Sequence, residues 1–214
     1  MSRHTGPAAR RRLRRRRLGA LLAGGLVLGI GSLATIAAWT DTENATGSFA
    51  ASVFDTESQS AGSPTYASRT TAPGAALTFA ATGMSPGVSF YAWLNVRTTP
   101  ATNVAGTIAL TAAANNGGGL VGALQYRAVR MTAANPTASC GAAAFTGSPA
   151  FIAGGPSSYL PVTQVPASPT ASTIAAAGAQ LGFCFEVRIA AGSANSYQGQ
   201  TATVTWTFTS TSAT

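Results

Sequence analysis

The chain has 214 residues, a formal charge of +8, 46% hydrophobic residues and only 8% charged ones. Eight of its 13 basic residues, Arg3, Arg10, Arg11, Arg12, Arg14, Arg15, Arg16 and Arg17, precede Leu18, and the remaining arginines are matched by acids, so residues 18–214 are neutral and too poor in cations to track a phosphate backbone: no nucleic-acid partner is expected. The single histidine is His4 and lysine is absent, which removes Ser-His-Asp, Cys-His, Ser-Lys and histidine-zinc centres from the rest of the chain; no catalytic, cofactor or metal site is expected there.

After the arginine cluster, Leu18 to Ala38 carries no charge and is rich in Leu, Ala, Gly, Val and Ile. As a helix it spans ~31 Å, about one hydrocarbon thickness. Arginines before it and Asp41, Glu43, Asp55 and Glu57 after it predict an amino end held in the cytoplasm and a remainder sent across. Two readings stay open. A secretory signal would be cut at the small-residue exit after Ala37 or Ala38, which brings in a signal peptidase and export machinery and puts residues 38–214 outside the cell or on its surface. An uncleaved helix would instead tether the same residues to the membrane.

The exported part is long enough for one domain burying roughly 70% of its unfolded surface. Its first predicted strand is Gly47 to Phe54, with Phe49, Ala51 and Val53 on one face. Glu57 to Pro73 is polar and reads as loop around a weak strand at Thr65 to Ser68. Further strands are expected at Ala76–Ala80, Val88–Arg97, Thr107–Ala112, Gly122–Met131, Gly182–Ile189 and Thr201–Ser210. The last is the clearest: Val204, Trp206 and Phe208 fall on one face and Thr203, Thr205, Thr207 and Thr209 on the other, as suits a sheet packed on one side and wet on the other. Asn115 to Gly119 is expected as a turn tip. Thr132 to Gln180 is a long irregular excursion, with a short strand near Tyr159 to Val165 and a helical turn around Thr173 to Gln180. The fold class is all-β: a single antiparallel two-sheet sandwich, jelly-roll or Ig-like, preceded by an amino-terminal signal or transmembrane helix.

Cys140 and Cys184 are the only cysteines. In an oxidising compartment a disulfide is the simplest reading, worth about 4 kcal/mol in the chain-entropy model; two buried free thiols are the alternative. Glu186 stands two residues before Arg188 on one strand face and reads as an exposed ion pair; Asp55 and Glu57 read as solvated. Tyr91 and Trp93 share a face opposite Phe90. If exposed, they could stack on sugar rings, giving a carbohydrate- or surface-ligand-binding module; otherwise they fill the core.

The run from Thr35 to Phe49, TIAAWTDTENATGSF, carries a resemblance. An Ala-Ala pair, an aromatic residue, a short Asp-containing turn and a first strand introduced by Gly occupy Ala37, Ala38, Trp39, Asp41, Gly47 and Phe49. This resembles the cleavage junction of Gram-positive proteins exported through the SipW-type signal peptidase, the group that contains the TasA and camelysin biofilm matrix proteins. Met84-Ser85-Pro86-Gly87 is similar to the group's turn ahead of a long strand, and Tyr197 to Phe208 to the ending of one branch. The resemblance implies a non-enzymatic surface or matrix protein that self-associates. In it, the freed segment would pair with an exposed sheet edge of the next copy through Gly47, Phe49, Ala51 and Val53.

Overall fold

The computed structural model describes residues 50–71, 73–81 and 83–213 and, before them, only residues 17–19, 21 and 48; from residue 50 onward its regular structure is ten strands and three short 3-10 turns. The strands are β1 (Thr56–Ser60), β2 (Ser63–Ala67), β3 (Ser89–Thr98), β4 (Gly106–Gly117), β5 (Leu124–Arg130), β6 (Ala150–Ala153), β7 (Leu160–Pro161), β8 (Ser172–Ile174), β9 (Gln180–Ile189) and β10 (Thr203–Ser212). They form two antiparallel sheets. The larger runs β2-β1-β3-β9-β5-β6, with β7 also paired to β5; the smaller runs β10-β4-β8. The expected all-β, two-sheet architecture is the one observed.

Period-two alternation explains the core. In β9, Phe183, Phe185, Val187 and Ile189 turn inward, and in β3 Leu94 and Val96 join them. Ile108 and Leu110 of β4 and Ile174 of β8 face them from the smaller sheet. The predicted apolar face of β10 points the same way, with Phe208 4.9 Å from Phe183 and Trp206 5.0 Å from Phe185, ring centre to ring centre. Its threonines point outward, and Thr111 on β4 and Thr209 share a hydroxyl hydrogen bond of 2.6 Å.

Several expected elements differ. Residues 50–55 form no strand: Ala51 and Val53 are exposed, and Phe54 is the residue that turns in, over Gly106, where a β-carbon would stand 2.5 Å from the Phe54 ring. The polar stretch after Asp55 forms the β1–β2 hairpin, because Glu57 and Gln59 of β1 lie opposite Arg97 and Asn95 of β3 and need a polar neighbour rather than a core. Ala76–Ala80 has apolar alternation but no pairing partner. Instead the Ala76 carbonyl accepts the Ser60 hydroxyl, the Ala76 N–H donates to Ser63 Oγ, and the Ala81 N–H turns back to the Phe79 carbonyl. Asn115 and Asn116 extend β4 rather than forming its tip, and where a helical turn was expected, Ser172–Ile174 is a strand and the chain to Gln180 forms no helix.

Ala37, Ala38, Gly47 and Phe49 lie outside the described residues. Among the described residues no helix is long and apolar enough to cross a membrane.

Candidate functional site

The outward face of the large sheet is covered by part of the irregular excursion. Cys140 and Cys184 form a disulfide with a Cα–Cα distance of 5.2 Å, tying the segment after Met131 to the middle of β9. That segment starts over Gly182, where a β-carbon would meet the Met131 methyl group at 2.7 Å and the Ala134 Cα at 2.9 Å, so the close approach requires glycine. Asn95, fully buried, holds the crossing chain with its side-chain amide. It accepts from the Asn135 N–H at 2.9 Å and donates to the Asn135 carbonyl at 2.9 Å and to Gln59 at 3.1 Å. Below it, Val129, Met131, Phe145 and Cys184 make a second buried cluster.

Tyr91 and Trp93 do share a face opposite Phe90, and it is this outward face. Both are half-buried against the second cluster, with the Tyr91 ring 5.9 Å from Phe145. They belong neither to the core between the sheets nor to an open stacking platform; they seat the disulfide-tied flap.

Beside the flap, Glu186 corrects the expected exposed pair with Arg188. It is 2% exposed, and its ionic partner is Arg127, directly opposite it on β5. Arg127 reaches Oε2 through Nη2 at 2.7 Å and Nε at 2.8 Å, while Ser89 and Tyr159 donate to Oε1 at 2.5 and 2.7 Å. Burial opposes ionisation of this carboxyl. The hydrogen bonds from Ser89, Tyr159 and Arg127, with the Arg127 charge, outweigh it and hold the Glu186 pKa below its ordinary value. Burial, and then the Glu186 contact, push the Tyr159 phenol up. Arg127 lies 4.8 Å from the Phe145 ring centre and Arg188 3.5 Å from that of Tyr159. Both Glu186 oxygens are bonded and Arg127 is spent on them, so this cluster locks loops to a sheet and leaves its carboxylate no free valence for chemistry.

The other side of the sandwich is unfinished. β10 ends its sheet: β4 holds one edge and, among the described residues, no strand pairs the other. Its inward Val204, Trp206 and Phe208 are only half-buried, unlike Ile108 and Leu110 on the neighbouring β4, which are 0% and 1% exposed. They border an open cavity of about 1520 Å³ that runs between β10, the inner face of β3 and β9, and the irregular chain from Arg69 to Met84. Two buried donors on its wall, Trp206 Nε1 and Arg69 Nε, have no hydrogen-bond partner among the described residues. Such gaps are rare in finished cores.

Of the expected assembly residues, Val53 is tied down. Its N–H donates to Asn103 Oδ1 at 2.8 Å and its carbonyl accepts from the Asn103 N–H at 3.0 Å, while the backbone of Asp55 is held by Thr99 and Thr102. Ala51, exposed and without such bonds, belongs to the chain that precedes this anchor.

Sequence reasoning missed Asn95, Arg127 and Arg69. Only Asn95 left a signal, as a polar residue between Leu94 and Val96 in an otherwise apolar stretch. Among the described residues no three His, Cys, Asp or Glu side chains gather as a metal site would need. No protein-family model matches the chain, and no curated protein matches it.

Proposed function

We propose that the chain is a non-enzymatic exported structural subunit of a cell surface or extracellular matrix, which self-associates when the segment before Val53 of one copy adds as a strand to the free edge of β10 in the next. The observation that carries this reading is the unpaired edge itself, lined by the half-buried Val204, Trp206 and Phe208. An added strand would complete the ladder by main-chain hydrogen bonds and cover the aromatic residues. Val53, held in its own domain, serves as the base from which the donor leaves, and Gly47, Phe49 and Ala51 remain as the pairing residues. The resemblance of Thr35–Phe49 to the SipW-type cleavage junction supports export and release after Ala37 or Ala38, and the disulfide suits an oxidising location.

The test is the intact mass of protein recovered outside the cell, with size-exclusion and sedimentation of the same sample. Loss of residues 1–37, a two-proton gain on reduction and a large species that grows with concentration are the expected results. A monomer at every concentration defeats the assembly reading. Full-length protein confined to the membrane fraction replaces it with a tethered β-domain.

A further inference from the structure

The open cavity beside β10 contains the arginine Arg69, whose buried Nε has no partner and which forms no ion pair among the described residues. The cavity's other charged residue, Asp55, sits exposed, with its carboxylate accepting the Thr56 N–H at 2.8 Å. An added strand facing this space would therefore meet a mostly apolar wall with one unanswered cation.

The residues that precede Val53 have that pattern. In an extended chain, successive side chains alternate between faces. One face of the stretch 41–52 then presents Asp41, Glu43, Ala45, Gly47, Phe49 and Ala51: two acids followed by small and apolar residues. The other face presents Thr42, Asn44, Thr46, Ser48, Ala50 and Ser52, the same kind of surface as the outward threonines of β10. Twelve residues reach about 40 Å when extended, against about 33 Å for the ten residues of β10, so the stretch is long enough to cover that edge.

We infer that Arg69 is the specificity-determining residue of this groove, and that it recognises the Asp41–Glu43 acid pair of a second copy of the chain while Phe49 of the same segment fills the apolar part beside Trp206. The inference rests on the proposed assembly through β10 and adds to it the charged contact that selects the incoming segment and narrows its register. An apolar pairing alone slips easily by two residues, because it keeps the same face inward; a single cation that finds acids only at 41 and 43 confines that slippage to one such step.

The experiment is a charge swap in trans, using processed chains recovered from outside the producing cell. Chains carrying Arg69→Glu and chains carrying Asp41→Arg with Glu43→Arg are each expected to raise the concentration at which large species form by at least about 10-fold, as for loss of one charge-assisted contact. An equimolar mixture of the two is expected to restore assembly, because each groove then meets a segment of opposite charge. The donor variant leaves every described residue of the domain unchanged, so its effect stands even if Arg69→Glu lowers the domain's stability. Rescue only when all three substitutions are placed in one chain, with none in the mixture, would overturn the second copy as occupant in favour of the chain's own segment. Undiminished assembly of both single-sided variants would overturn Arg69 as the reader while leaving β10 assembly standing. Failure of the unaltered chain to assemble at all would remove the reading beneath it.

Discussion

The two sides of the large sheet are finished to different degrees. On its outward side a flap is tied by a disulfide, held by the Asn95 amide and sealed over Val129, Met131 and Phe145, and Glu186, the one buried carboxylate among the described residues, has a partner for each oxygen. On its inward side the smaller sheet stops at β10, and the aromatic residues there stay half-exposed next to two unpartnered donors. A chain that satisfies its polar groups so fully on one side has not run out of means to do so on the other. The contrast separates the part that makes the domain stable from the part that the proposed assembly would use.

Breaking the finished side should cost most. Glu186→Ala leaves Arg127 half-buried without its counter-ion, and is expected to destabilise the domain by about 3–5 kcal/mol in urea unfolding. Phe185→Ala, in the core where the sheets meet, is expected to cost a similar ~3–5 kcal/mol. Replacing both cysteines, Cys140→Ala with Cys184→Ala, should cost about 2–4 kcal/mol. In hydrogen exchange, that loss should appear first at the Asn135 and Thr146 amides of the flap, with the β4–β10 ladder little changed. Uniform acceleration of both regions would mean that the disulfide holds the whole sandwich rather than the flap.

The unfinished side should tolerate more. Phe208→Ala removes a ring that is only half-buried, so it is expected to cost about 1–2 kcal/mol in the monomer, well below Phe185→Ala in the facing sheet. The same substitution should impair assembly far more than its small effect on folding would suggest. Equal costs for Phe208→Ala and Phe185→Ala in the monomer would mean that the β10 face is already closed, and the comparison of the two sides would fail.

The features legible in the sequence and those hidden from it divide in a related way. β3, β9 and β10 were all expected as strands, but only the alternation of β10 named its inward face; β3 left Tyr91 and Trp93 open between core and surface, and they face outward. β1 was hidden because its side chains are polar on purpose: Glu57 answers Arg97 at 2.7 Å, a partner 40 positions away. Ala76–Ala80 misled in the opposite sense, since alternation without a neighbour to pair with does not make a strand. The Glu186 cluster was out of reach because its partners are distant in the chain. Arg188 stood two residues away in the sequence, but the register of β5 against β9 puts Arg127 opposite, and register is a property of the sheet. The open groove showed no local signature at all, because it is defined by an edge of β10 that no strand among the described residues pairs.

The smallest expected effect separates the two sides by pH. The Glu186 pKa is lowered in the folded state, so the unfolded chain binds its proton first as pH falls. Its contribution is therefore fully present above the unfolded value of about 4.3 and is lost as pH drops through the lower folded value. Thermal unfolding from pH 7 down to pH 3 should show the parent chain losing its advantage over Glu186→Gln across that acid window, with the two midpoints converging. Phe208→Ala adds and removes no ionisable group, so it should keep a constant offset from the parent throughout. A parent-to-Glu186→Gln gap that stayed constant to pH 3 would show that the carboxylate contributes by shape and hydrogen bonding alone. The outward side would then owe its completeness to packing and the disulfide rather than to its buried charge.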